Sequence, residues 1–250
     1  MHQRLVLRPS SGLRPDGWRC ICHPVVVHVT EADDLDRSSD AEVDILDLEF
    51  VAADGAVAGL VRLELRPLAG VSRFMAAVLR PRADPIVVID YDLPLSRGAL
   101  EFRAPGVWAE LCCETPLDHW TIGLEAFGLG VAAHEVVTPS TYGTRVAVGL
   151  DLDLDTVSAP DGDGSAFSVG VRVHGEVLVD EASYEIDGVG VRRRRTDGHR
   201  PTSTLLAAPP PLHGEVRVGW PAEDGLPSIE RRGWFMGSRP GWTSLDYSGA

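Results

Sequence analysis

Arg145-Val-Ala-Val-Gly-Leu-Asp-Leu-Asp-Leu-Asp155 decides the fold. Val146, Val148, Leu150, Leu152 and Leu154 fall on one face. Arg145, Asp151, Asp153 and Asp155 fall on the other. A period of two over this length belongs to a half-buried antiparallel strand, because successive side chains of a strand point to opposite faces.

The same alternation spreads outward in both directions. Upstream, Leu46-Asp-Leu-Glu-Phe50 has one apolar and one acidic face, and Asp54-Gly55 follows as a tight-turn signal. Val57, Val61, Leu63 and Leu65 then alternate with Arg62, Glu64 and Arg66, which completes a β-hairpin. Further strands are expected at about 73–80, 85–92, 99–104 and 107–114, punctuated by Pro81, Pro85, Pro94 and Pro105. Trp120, Ile122, Leu124 and Ala126 mark the next, and residues 131–137 another. Downstream, residues 160–164 read as a loop. Phe167 to Val179 carries one long strand with Gly175 as a candidate break. Val216, Val218 and Trp220 alternate in the tail. Near the N-terminus, residues 24–29 read as a first strand. Residues 30–36 read as an acidic helical turn capped by Thr30.

No helical period extends beyond a turn or two. The expectation is an all-β protein of two lipocalin-like antiparallel barrels or sandwiches in tandem. Residues 1–98 would form the first domain; residues 99–250, with an irregular tail, would form the second.

Composition narrows the partners. The 250 residues carry a formal net charge of −14, which argues against a nucleic-acid backbone or an anionic membrane surface. All 23 basic residues are arginine, and neither lysine nor asparagine occurs. That bias reads as GC-rich coding and a bacterial source. The absence of lysine excludes Schiff-base and Walker-type lysine chemistry. No signal-peptide core opens the chain and no apolar window of membrane-spanning length occurs, so a cytoplasmic setting is expected. Cys20, Cys22, Cys112 and Cys113 are too closely paired for a disulfide framework. With His23 they fit no standard zinc spacing, and no metal or organic cofactor is expected.

Residues 115–120, Thr-Pro-Leu-Asp-His-Trp, are followed by Glu125, the Leu150–Leu154 strand, Gly175-Glu-Val-Leu-Val-Asp180 and Tyr184-Glu-Ile-Asp-Gly-Val-Gly-Val-Arg192. In this order, over residues 102–200, the chain resembles the tandem-lipocalin group of the carotenoid 1,2-hydratases, or hydroxyneurosporene synthases. The resemblance implies lipocalin-like barrels around an apolar pocket. It also implies that enzymatic members hydrate, cyclise or isomerise isoprenoid-like substrates. The family's Asp-His-Ser-Trp segment is not retained: the chain reads Arg193-Arg-Arg-Thr-Asp-Gly-His199. Asp197 and His199, shifted along the loop, are the candidates to stand in for it.

Site candidates follow from chemistry. An acid catalyst needs a positioned carboxyl or imidazole, so Glu110, Glu114, His119 and Asp197 are the candidate catalytic groups. A glutamate buried among apolar neighbours would have a raised pKa, and Glu110 either sits in the barrel in that way or faces solvent with Trp108 at the rim. Ligand walls would come from Trp108, Trp120, Tyr142 and Tyr184, with Arg145 or Arg192 as a polar end-stop. The run Arg192–Arg195 reads as a solvated strand end paired with acids, or as an anion clamp.

Three functions remain open. The first is binding of an apolar isoprenoid, steroid or fatty-acid-like molecule. The second is a cofactor-independent hydratase, cyclase or isomerase acting on one. The third is a structural or interaction role with a filled core.

Overall fold

The computed structural model describes residues 28–35, 41–95, 100–132, 135–196, 214–220, 228–234 and 243–249. One short helix, α1 (Glu31–Leu35), precedes a chain of strands. A first meander contains β1 (Asp44–Ala52), β2 (Ala58–Arg66), β3 (Val71–Leu79) and β4 (Ile86–Pro94). A second contains β5 (Leu100–Ala104), β6 (Val107–Thr115), β7 (His119–Gly130), β9 (Thr144–Thr156), β11 (Ala166–Val179) and β12 (Ala182–Thr196). The short strands β8 (Val136–Val137) and β10 (Asp161–Asp163) interrupt it. Strands β13 (Gly214–Trp220), β14 (Ser228–Trp234) and β15 (Thr243–Gly249) follow.

The hairpins form where turn chemistry permits. Between β1 and β2 the chain reverses through Asp54-Gly55, with Gly55 at φ 70°, a conformation open to glycine at no steric cost. The Asp54 carboxylate accepts from the Ala56 N–H. Gly175 does not break β11. Its pairing runs through to both β9 and β12, at φ 129°, where an added Cβ would meet the Asp151 carbonyl oxygen. The loop expected at 160–164 contains the brief strand β10, whose turn is tied by Asp163 to the N–H groups of Ser165 and Ala166. Of the strand expected over 131–137, among the described residues only the two of β8 are in a strand. Of the strand expected over 24–29, residues 24–27 lie outside the described residues, and His28 and Val29 are not in a strand.

The all-β expectation holds, and the large sheet is antiparallel, while β13 meets β8 in parallel in the second sheet. Eight strands close a ring in the order β9-β11-β12-β1-β2-β3-β4-β7, with β7 returning to β9. The expected division at residues 98/99 falls between the two meanders, but these share one ring. The free edge of β1 is completed by β12 over nine residue pairs, from Asp44↔Thr196 to Ala52↔Gly188. The other closure is slight: β4 meets β7 only at Ile86↔Gly130 and Val87↔Leu129. The β5–β6 hairpin occupies the rest of that edge of β7.

A core fills the ring. Leu48, Phe50, Leu63, Phe74, Leu124, Leu152 and Leu154 belong to one buried cluster drawn from both meanders. A second cluster lies outside the ring. There Leu60, Met75, Ala77 and Val87 pack against Val137, Val216 and Val218, which belong to a four-stranded sheet in the order β15-β14-β13-β8. The Tyr91 hydroxyl donates to the Gly219 carbonyl at 3.0 Å, binding that sheet to β4. Among the described residues no helix is long and apolar enough to cross a membrane.

Candidate functional site

The site lies at the barrel end covered by α1. Thr30 starts this helix: its N–H and hydroxyl both donate to Asp33 Oδ2, at 2.6 and 2.8 Å. Of the five helical residues only Asp34 is buried. Its carboxylate is turned into the barrel and accepts four hydrogen bonds. Two come from the Arg192 guanidinium, one from Trp120 Nε1 at 2.9 Å and one from the Leu117 N–H at 2.7 Å. The Arg192 guanidinium also lies over the Trp120 ring, 4.8 Å from its centre.

Register explains why arginines point inward here. Arg192 and Arg194 oppose Leu48 and Leu46 of β1, whose side chains are in the core. Arg194 is clamped by both oxygens of Asp44, at 3.2 and 2.8 Å, and donates to the Asp33 carbonyl. Arg193 and Arg195 take the outer face and pair with Glu49 and Asp47, each at 2.7 Å. The expected pairing with acids is therefore present, but the solvated strand end is not. Arg192, Arg194 and Arg195 are buried, and no more than 8% of any is exposed. Buried charges persist only when paired and hydrogen-bonded, and here each arginine faces its own carboxylate.

Beside this network is a half-open recess of about 210 Å³. Leu35, Leu46, Leu100, Leu111 and Trp120 supply its apolar walls, and Asp34, Glu110, Cys112, Cys113 and Arg194 complete the lining. Both thiols are free. Burial pushes the Cys113 thiol up to about 11, with the Asp34 carboxylate adding to the effect. The Cys112 thiol is also raised, first by burial and then by its hydrogen bond to Glu114. Neither is an activated nucleophile, since thiolate chemistry needs a lowered pKa.

The candidate residues divide sharply. Trp120, Arg192 and Glu110 are brought to this end of the barrel. Glu110 is only half-buried, however, so the apolar burial that would make it an acid catalyst is not met. Glu114 is exposed at the end of β6. His119 is on the outer wall, 2.9 Å from Asp155 and 3.4 Å from Asp153. Trp108 packs outside the ring, with its ring over Gly123 and its indole N–H donating to Glu101 at 3.0 Å. Tyr142 is 91% exposed, so it walls no pocket. Arg145 lies on the outer surface, its guanidinium 3.7 Å from the centre of the Phe127 ring, and is no end-stop. Tyr184 is half-buried against the core near the opposite end of β12 from Arg192. Asp197 and His199 lie outside the described residues, as do Cys20, Cys22 and His23. Among the described residues no cluster of three or more histidine, cysteine or acidic side chains is arranged for a metal ion.

Asp34 and Asp44 are the organising residues that the sequence reading missed. A signal for them existed. A strand bearing four consecutive arginines must turn two toward the core, and those two require inward carboxylates.

Comparison with protein-family models, with curated proteins and with solved structures finds no match for this chain.

Proposed function

We propose that this protein binds a small, mainly apolar molecule, without chemical conversion, in the recess under α1. The observation that supports this reading is the recess itself: open space with five large apolar side chains in its lining, at the end of a barrel whose interior holds a large buried apolar cluster. Its 210 Å³ is below the roughly 300–1,000 Å³ of pockets that enclose drug-sized ligands. The ligand is therefore a short chain or single ring, or the terminal portion of a longer isoprenoid or acyl molecule. Non-catalytic binding fits the carboxylates. Both oxygens of Asp34 are engaged by protein donors, so neither is directed at a guest.

The test is a thermal-shift and calorimetric titration with small cyclic and short-chain apolar compounds, on the full chain and on Leu35→Trp. Leu35 lines the recess but is 55% exposed, so this variant fills the opening without disturbing the core. Binding at a concentration one hundred times Kd should stabilise the protein by about 2.7 kcal/mol, and the variant should lose the effect. Absence of stabilisation by every such compound would overturn the reading in favour of a scaffold role.

A further inference from the structure

We propose that the groups around Asp34 form a carboxylate-binding site which Asp34 occupies from within the chain, and that the ligand of the recess is an apolar carboxylic acid whose head takes Asp34's place. The inference rests on the recess-binding reading above and adds the head group of the ligand.

Three elements of the barrel supply the receptor. The Arg192 guanidinium comes from β12, Trp120 Nε1 from β7 and the Leu117 N–H from the turn between β6 and β7. These donors converge on one carboxylate, and Arg192 engages both of its oxygens, the paired geometry that selects a carboxylate. Leu117 takes φ 60°, a conformation that residues other than glycine seldom adopt, and such strain gathers at ligand clamps. The occupant is held more lightly than the receptor. α1 has five residues, and Asp34 is the buried one. Glu31, Ala32 and Leu35 are exposed, so lifting the helix would uncover little apolar surface of its own. Its further attachments include the Arg194 bond to the Asp33 carbonyl and the partly buried Val29 beside the core.

The recess adjoins this site, because Asp34 and Trp120 both line it. A ligand whose carboxylate replaced that of Asp34 would keep its apolar body among Leu46, Leu100 and Leu111. Exchange of one carboxylate for another keeps the Arg192 charge matched, while Asp34 becomes hydrated at the surface. Other head groups fail at this position. An amine would meet the like charge of Arg192, and an alcohol would leave a buried guanidinium without a counter-charge. The other arginine of the lining, Arg194, stays with Asp44.

The experiment compares cyclohexanecarboxylate with cyclohexylmethanol by calorimetry on the full chain, with enough salt to screen its net charge of −14. The carboxylate should bind the wild-type chain at least about threefold more tightly than the alcohol, and Asp34→Ala about tenfold more tightly again, because an internal competitor is gone. Amide exchange at residues 31–35 should quicken in the wild-type carboxylate complex, while the alcohol complex leaves it unchanged. In Asp34→Ala the emptied site should also accept acetate: the melting temperature should rise saturably with acetate and not with chloride, and Arg192→Leu should abolish that rescue. Equal affinity of the wild-type chain for both compounds, with α1 protected in both complexes, would overturn this inference and leave the recess reading intact. A folded Asp34→Ala that acetate does not stabilise would overturn it too. The wild-type comparison decides alone if that variant does not fold. No binding by either compound would remove the recess reading and this inference with it.

Discussion

Strands β1–β4 and strands β7, β9, β11 and β12 build one ring, yet their outer faces meet different surroundings. In β9, Leu150, Leu152 and Leu154 are buried while Asp151, Asp153 and Asp155 are exposed. In β1, Leu46, Leu48 and Phe50 are buried, but so are Asp47, Glu49 and Val51. The two strands carry similar sequence alternation. The difference is what lies outside. β9 faces water. The outer side of β1–β3 carries largely buried ion pairs, Asp47 with Arg195, Glu49 with Arg193 and Glu64 with Arg62, Arg66 and Arg73. Further along, the second sheet covers it. Alternation therefore reports which side of the wall a residue takes. It does not report whether that side is wet.

The largest expected effect comes from one substitution made on each wall. Asp47→Ala leaves the buried Arg195 guanidinium without its carboxylate, and removing one member of a buried pair costs about 3–5 kcal/mol. Asp153→Ala, at an equally alternating position on β9, should change stability by no more than about 0.5 kcal/mol. Urea denaturation of the two variants measures both. Equal costs would erase the distinction between the walls.

The second sheet provides the next two tests. Val218 is almost fully buried against the outer face of the ring, and Val218→Ala should cost about 1–2 kcal/mol. Leu178→Ala, at a position 41% exposed on the uncovered wall, should cost well under half of that. Tyr91→Phe removes the hydrogen bond to the Gly219 carbonyl and should cost about 1 kcal/mol. Amide exchange in β13 should quicken in that variant while β9 stays protected. Unchanged exchange in β13 would show that apolar packing alone holds the cover.

Legibility followed the same divide. The strands at Arg145–Asp155 and Phe167–Val179 were readable because one face is wet and the pattern is clean. The hairpin at Asp54-Gly55 was readable from turn chemistry. Closure into one ring was not, because β1 meets β12 across most of the chain length and no local pattern encodes that partner. The burial of Arg192, Arg194 and Arg195 was missed for a related reason. Local sequence marks arginine as a solvent residue, and the carboxylates that reverse this lie on α1 and β1. Chemical type points to Trp120 and Arg192 as site residues, and it points equally to Tyr142 and Arg145, which stand on the outer surface. Residue type without wall assignment cannot separate these cases.

Strand β6 carries the smallest of these effects at the place where the two regimes meet, since Cys113 packs against the core and Cys112 belongs to the outer face. Burial raises the Cys113 thiol from 9.0 to about 11, so the folded protein holds that proton more tightly than the unfolded chain. The resulting stabilisation is fully present below about pH 9 and is lost as pH rises toward 11. Stability should accordingly fall across that alkaline window, and Cys113→Ala should flatten the slope. The Tyr91 hydroxyl, raised to about 12 chiefly by burial, slopes in the same direction, so the comparison is best made in the Tyr91→Phe background. Alkylation by iodoacetamide, followed residue by residue with peptide mass mapping, gives a second measure. At pH 8 Cys113 should react more slowly than in the urea-unfolded chain, because only the thiolate attacks. A Cys113 that reacts as fast folded as unfolded would place it on the wet side of the wall, and the boundary between the two regimes would have to move off β6.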